Sequence, residues 1–225
     1  MKPHISIIIP TLNEERNMRR LIYGIKGVLK NENLELIVVD GHSKDKTVSI
    51  SRRMGARILY DDVGKGSALI KGLNAAKGKI VISMDADLSH RPNELLILIA
   101  GIESGYDVCM GSRFLTGGGS DDMPFIRKIG NKAFVAIVNL IYKSNYSDMC
   151  YGYRSFSRNA LRRLNLTEAG FGIETEISIK AKKMNLKVLE VPSYEKKRFM
   201  EEPKLRSIND GFIILRTIMH SILER

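Results

Sequence analysis

Asp85-Ala86-Asp87 carries the sharpest chemical signal in the chain. It follows Ile80–Met84, an apolar run that reads as a strand. In an extended segment residues i and i+2 face the same side, so the two carboxylates point one way. Such a pair suits one hard divalent cation that keeps places for water and phosphate oxygens. The alternative is a solvated turn with Asp87 capping the next helix. The position favours the cation, because ligands of open α/β sheets sit beyond the carboxyl ends of the strands. Acids recur at the neighbouring strand ends: Glu14 after the first, Asp40 after the second, Asp61 and Asp62 after the third. Helix capping accounts for one or two of them, but not for an alternating pair. Gly64-Lys65-Gly66-Ser67 lacks the contiguous Gly-Lys-Ser of a P-loop and the third glycine of a dinucleotide fingerprint. It reads as a glycine-rich helix entry that either holds a phosphate or makes a tight turn.

The elements that must position these groups alternate. Ile5–Ile9, Leu34–Val39, Ala56–Tyr60, Ile80–Met84 and Val108–Met110 read as strands. Between them Asn13–Lys30, Lys44–Met54 (Ser43 as N-cap), Lys65–Ala76 and Asn93–Ile102 (opened by Pro92) read as helices. This order predicts an α/β fold with a mostly parallel central sheet covered by helices on both faces. The second half is less regular. Gly117–Asp122 reads as a flexible loop, Phe125–Tyr142 as an amphipathic helix, Cys150–Phe156 as a strand, Glu174–Lys183 as a helix and Lys187–Val191 as a strand. A last helix over Leu205–Leu223 places Leu205, Ile208, Phe212, Leu215, Met219 and Ile222 on one face, expected to pack on the core.

Composition narrows the partners. The 225 residues hold 36 Lys plus Arg and 25 Asp plus Glu, a formal charge of +11, with 44% hydrophobic residues. That is globular, not disordered. The basic balance suggests a polyanionic partner. With no Trp, 7% aromatics and no basic run interleaved with aromatics, nucleic acid is not expected. Cys109 and Cys150 fit no metal or redox spacing, so a reducing, cytoplasmic setting is expected. Neither a signal peptide nor a transmembrane segment is expected, and residues 1–225 read as one domain.

The ordered motifs resemble a known family. They run Ile9-Pro10-Thr11-Leu12-Asn13-Glu14, Val38-Val39-Asp40-Gly41-His42-Ser43-Lys44-Asp45, Gly64-Lys65-Gly66-Ser67-Ala68 and Met84-Asp85-Ala86-Asp87-Leu88-Ser89-His90. Gly111-Ser112-Arg113, Asp148-Met149-Cys150-Tyr151-Gly152-Tyr153-Arg154 and Glu190-Val191-Pro192 follow. Together they resemble the inverting, metal-dependent glycosyltransferases of family two, with the GT-A fold, and within them the dolichol-phosphate mannose synthases and related polyprenyl-phosphate glycosyltransferases. The resemblance implies a nucleotide-sugar-binding half, 1–115, and an acceptor-side half, 116–225. It implies a nucleoside pocket lined by Pro10, Asn13 and Glu14, with Asp40 on the base or ribose and Asp61 or Asp62 with Lys65 closing it. Asp85 and Asp87 would hold Mg2+ or Mn2+ and the donor diphosphate. Arg113, Arg127, Arg198 and Lys204 would surround the phosphates, and Glu174 or Glu176 would fall where relatives that glycosylate hydroxyls carry a base. Asp87, Arg113 and Glu174 are thus the expected catalytic residues. The sequence departs from the family at Asp40-Gly41, where a pair of aspartates is usual, at Ser89, where relatives can place a metal-binding Gln, and at Glu201-Glu202-Pro203.

The implied reaction is transfer of a hexose from GDP-mannose or a UDP-sugar to a polyprenyl or dolichyl phosphate. An anionic phosphate acceptor needs no strong base; a soluble or hydroxyl acceptor would use Glu174. Phe125–Tyr142 could lie on a membrane with Lys and Arg at the headgroups, giving a peripheral location. Competing expectations are a nucleotidyltransferase, which usually has a Gly- and Arg-rich loop after its first strand, and a nucleotide-sugar or phospholipid binding module without turnover.

Overall fold

The structure is a computed structural model and describes residues 2–198 and 207–223. Its strands and helices follow in chain order: β1 (Ile5–Thr11), α1 (Glu15–Val28), β2 (Leu34–Asp40), α2 (Thr47–Arg53), β3 (Arg57–Tyr60), α3 (Lys65–Ala75) and β4 (Ile80–Ser83). A 3-10 turn, Pro92–Glu94, leads into α4 (Leu95–Glu103). Then come β5 (Val108–Ser112), β6 (Gly119–Ser120), α5 (Phe125–Tyr142), β7 (Arg154–Ser157), α6 (Arg158–Leu164), α7 (Ile173–Lys183), β8 (Val188–Pro192), β9 (Tyr194–Glu195) and α8 (Ser207–Leu223).

The main sheet runs β3-β2-β1-β4-β7-β5-β8. Every neighbouring pair is parallel except those of β7, which is antiparallel to both β4 and β5. Alternation along β1 divides the core. Ile5, Ile7 and Ile9 face α1 and α4, with Met18, Leu21, Ile22, Ile25, Leu95 and Leu98. Ile8 faces the other layer, with Leu69 and Leu73 of α3, Val135 and Val138 of α5, and Ile173 and Ile177 of α7. Burial on both sides is why β1 and β4 read as continuous apolar runs rather than alternating ones. The apolar residues of α1 recur at three- and four-residue spacing, which gives one stripe toward the sheet. The fold is thus the expected one, with helices on both faces.

Several boundaries differ from expectation for local reasons. Ser43 does not cap α2; its hydroxyl and amide bond Asp40, and α2 starts at Thr47, whose amide is taken by Asp45. The strand expected from Cys150 begins at Arg154, because Met149–Tyr153 folds as irregular chain whose carbonyls bond the Arg154 guanidinium. α6 was not expected; its cap is Ser157, whose hydroxyl accepts the Ala160 amide. α8 packs against α5 and α7 and buries Ile214, Thr217 and Ile218. The face expected in the core is split: Phe212 is 69% and Met219 52% exposed, while Ile222 packs against the core. Leu205 lies outside the described residues. Among the described residues no helix is long and apolar enough to cross a membrane.

Candidate active site

The carboxyl ends of β1, β2 and β4 open on one side of the sheet, and a cavity of about 980 Å³ lies there. Pro10, Glu14, Asp61, Asp62, Lys65, Asp85, Asp87, Arg113, Arg127, Glu174 and Arg198 all line it. Expected site residues from seven separate segments therefore meet in one place. Asn13 and Asp40 are not among the lining residues. Asp40 is fully buried and accepts from Ser43 N at 2.8 Å, Ser43 Oγ at 2.5 Å and Thr11 Oγ1 at 3.3 Å. Asn13, at φ 57°, accepts the Lys44 amide at 2.9 Å. These two residues tie the loops after β1 and β2 together. Lys204 lies outside the described residues.

The glycine-rich entry to α3 resolves as a packing device. Ser67 N donates to Ala169 O at 3.0 Å, and a Cβ on Gly66 would sit 2.3 Å from Glu168 O. The glycines admit the 168–170 segment and so bring α7, which follows it, up to α3. Lys65, in the first turn of α3, then bridges two carboxylates: its Nζ is 3.1 Å from Asp85 Oδ1 and 3.1 Å from Glu174 Oε1. Burial opposes the charge on Lys65, but the two acids outweigh it and raise its pKa. Burial likewise opposes the charge on Asp85, yet Lys65 first, and Arg198 after it, hold its carboxyl down to about 2. Because that is below the ordinary 3.8, these ion pairs contribute stability above about pH 3.8, and the contribution is lost as the pH falls toward 2. In Asp85→Asn, the acid-induced drop in melting temperature over that window is expected to shrink, as a pH series of thermal melts would record.

Asp87 has different neighbours. Ser89 donates to its Oδ1 through both Oγ (2.6 Å) and N (3.0 Å). Arg198 Nε lies 3.2 Å from Asp87 Oδ2 and 3.0 Å from Asp122 Oδ2. Arg113 is held more firmly. Its Nε and Nη2 donate to Asp148 at 2.7 and 3.0 Å, its Nη1 reaches Glu195 at 3.2 Å, and its guanidinium lies over the Tyr151 ring. Desolvation works against its charge, but Asp148 and Glu195 raise its pKa. Of the two candidate late acids, only Glu174 lines the cavity. Glu176 turns away to accept from Thr167 and Glu168 and to pair with Lys180 at 2.7 Å. Cys150 also lines the cavity, but burial and Asp148 push its thiol up to about 12, which leaves it a poor nucleophile.

Sequence reasoning missed Asp122, Asp148 and Glu195 as members of this network. Asp122 sat in a loop read only as flexible, and Glu195 follows β8 in a stretch without a motif. Asp148 does open a quoted motif, and its position could have signalled a partner for Arg113. The apolar part of the cavity was also missed: Met123, Ile126, Phe134, Phe171, Phe212 and Leu215 continue it between α5 and α8.

The donor set fits a divalent cation of the magnesium type, which is commonly held by one or two carboxylates together with substrate phosphates. Asp85 and Asp87 supply two carboxylates at one cavity wall, with cationic neighbours suited to phosphate oxygens. Among the described residues no group of three or more His, Cys, Asp and Glu forms a closed metal cage. An open, shared site is therefore what these residues can make.

A parallel sheet with one inserted antiparallel strand, and an acid pair on a cavity beyond its strand ends, define an α/β transferase of the GT-A class. Residues 6–164 match glycosyl transferase family 2, and the chain belongs to that family of glycosyltransferases. The dolichol-phosphate mannosyltransferase of Pyrococcus furiosus is 33% identical over 210 residues, which are 90% of this chain and 59% of that protein. This chain thus spans little more than half the length of that relative. The dolichyl-phosphate hexose transferase of Haloferax volcanii is 28% identical over 221 residues, 98% of this chain and 94% of that protein. Glucosyl-3-phosphoglycerate synthase from Mycobacterium tuberculosis, solved with Mn2+, UDP and glucosyl-3-phosphoglycerate, has the same fold. It superposes with a TM-score of 0.75 at 21% identity, covering 97% of this chain and 80% of that chain.

Proposed function

We propose that the protein transfers a hexose, with inversion, from a nucleoside-diphosphate sugar to a polyprenyl or dolichyl phosphate. GDP-mannose is the first donor to test and UDP-sugars the second. The observation that carries this reading is one cavity with two unlike kinds of lining. Asp85, Asp87, Lys65 and Arg198 supply charged groups, and side chains of α5 and α8 supply apolar ones. A nucleoside diphosphate suits the first set and an isoprenoid chain the second. Residues 1–115 then serve the donor and 116–225, apart from Arg198, the acceptor.

Pro10, Glu14 and Asp62 would border the nucleoside. A divalent cation held by Asp85 and Asp87 would supply positive charge against the departing diphosphate. Lys65, Arg127, Arg198 and Lys204 would add cationic groups for donor and acceptor phosphates. Arg113 would act from its carboxylate cradle at the same wall. The sugar passes through an oxocarbenium-like state. A phosphate monoester, with its second pKa about 6, attacks as an anion at neutral pH without a base. The test is release of nucleoside diphosphate from a panel of nucleotide sugars with Mg2+ or Mn2+, with and without a polyprenyl phosphate. Pyrophosphate release from a nucleoside triphosphate would instead favour a nucleotidyltransferase, and binding without turnover a binding module.

Glu174 favours a second reading, a hydroxyl acceptor, because its carboxylate borders the cavity. Glu174→Gln separates the two. With a phosphate acceptor kcat is expected to fall less than about 10-fold; a true general base would cost roughly 10²–10⁴-fold.

The acceptor reading also predicts contact with a bilayer. α5 exposes Phe125, Ile126, Ile129, Ile137 and Leu140, and α8 exposes Phe212, Leu215, Met219 and Leu223. Lys128 and Lys132 are exposed on α5 as well. These faces would lie in the headgroup region of a cytoplasmic membrane surface. The chain is expected to float with anionic liposomes at low salt, and Ile129→Asp with Leu140→Asp to stay at the bottom of the gradient. Failure of the unaltered chain to float would argue against a lipid acceptor.

A further inference from the structure

We propose that His90 is a positioning residue for Asp85, setting both its main chain and the direction of its carboxylate. His90 is 1% exposed, and its Nδ1 accepts the Asp85 amide at 3.1 Å. A ring nitrogen that accepts carries no proton, so the neutral ring holds its proton on Nε2. Nε2 is 3.8 Å from Asp85 Oδ2. That is too long for a hydrogen bond, but it puts the N–H dipole on the carboxylate's own side. One imidazole therefore addresses both ends of the same aspartate, five residues back along the chain.

The ring is itself gripped. Tyr153 stacks on it at 4.6 Å with 3° between planes, and Tyr151 meets it edge-on at 4.8 Å. Each tyrosine is anchored: Tyr153 Oη donates to Arg91 O at 3.1 Å, and Tyr151 Oη accepts from Ser193 Oγ at 3.1 Å. The residue between them, Gly152, lies close against the acid cluster. A Cβ on Gly152 would lie 3.3 Å from Glu174 Oε1 and 3.4 Å from Asp85 Oδ2. Tyr151-Gly152-Tyr153 thus clamps His90 with its outer residues and leaves room for the acid cluster with its middle one. Partners of this kind orient a ligating carboxylate before the cation arrives. Ring packing alone would need no nitrogen at Nδ1, and this separates positioning from core filling.

The inference rests on the sugar-transfer reading only for the cation that Asp85 meets. The test uses the full chain, Mn2+ alone as the probe, and calorimetric or paramagnetic titration, alongside thermal melts and donor turnover. His90→Phe keeps the ring and removes both nitrogens; His90→Asn puts an acceptor back near Nδ1. His90→Phe is expected to bind Mn2+ about 10-fold more weakly, with kcat falling more than donor KM rises. His90→Asn is expected to recover most of the affinity at a similar melting temperature. Equal Mn2+ affinity in His90→Phe and the unaltered chain would overturn the proposal. Should His90→Phe not fold, His90→Gln, which leaves the Nδ1 position empty, takes its place. It must bind Mn2+ more weakly than His90→Asn, and parity would overturn the proposal. Loss of Mn2+ in the variant, in a chain that releases nucleoside diphosphate from no donor, would support positioning while overturning sugar transfer. No uptake of Mn2+ by the unaltered chain would overturn both.

Discussion

Asp87→Ala is expected to slow metal-dependent sugar transfer by roughly 10²–10³-fold, the loss typical of removing one preorganised electrostatic group from a reacting centre. The fold should survive. Asp87 stands in a turn beyond β4, and its bonds are to Ser89 and to the Arg198 side chain, not to the core. Removing it also loosens Arg198, which keeps its ion pair with Asp122. The loss should therefore appear in kcat and in Mn2+ affinity, with little change in melting temperature. Turnover of the nucleotide sugar at the unaltered rate would remove the mechanism outright. Asp87→Asn is the finer control. It keeps the turn's acceptor for Ser89 and loses only the charge, so a comparable defect would assign the effect to electrostatics.

Asp148→Ala is expected to have the largest effect on stability. Asp148 is fully buried and carries a two-point bond to Arg113, a bond from Asn131 Nδ2 at 3.0 Å and one from the Cys150 amide at 3.2 Å. Truncation leaves the Arg113 guanidinium with Glu195 as its partner in a largely dry setting. Breaking a buried pair from one side costs about 3–5 kcal/mol, which in a chain of this size lowers the melting temperature by roughly 10 °C. Urea unfolding with an unchanged slope would confirm that the effect lies in the folded state. A midpoint close to that of the unaltered chain would show that Glu195 suffices to hold Arg113. The joint change Arg113→Met with Asp148→Leu should recover part of the loss, because paired buried charges can often be replaced by apolar groups of similar volume.

The layered fold was legible because β1, β2 and β4 are apolar on both faces and the helices between them show three- and four-residue spacing. Asp85, Asp87 and Lys65 were legible as candidates because each follows a strand end or opens a helix; Glu174, with Glu176 as its alternative, became one only through the family resemblance. The grouping of these residues was not legible. Lys65 meets Glu174 only because Gly66 admits the 168–170 segment, a contact between positions about a hundred apart. Sequence separation also hid the partners of Arg113, which the resemblance marked as a phosphate-binding cation and which is paired to Asp148 and Glu195, 35 and 82 positions further on. The outer face of α8 was misread because an amphipathic pattern tells that a stripe is apolar, not whether protein covers it.

β7 separates β4 from β5, although it follows both in the chain. A nascent polypeptide emerging from the ribosome can join β1 to β2, β3 and β4, but β5 then has no neighbour to pair with. Its bonding partners arrive only with Arg154–Ser157 and Val188–Pro192. A fragment ending near residue 115 would carry an open edge along β4 and an orphan strand, the kind of surface that promotes aggregation. Assembly of the sheet therefore waits until most of the chain has been synthesised, and residues 1–115 expressed alone are not expected to form a stable sheet.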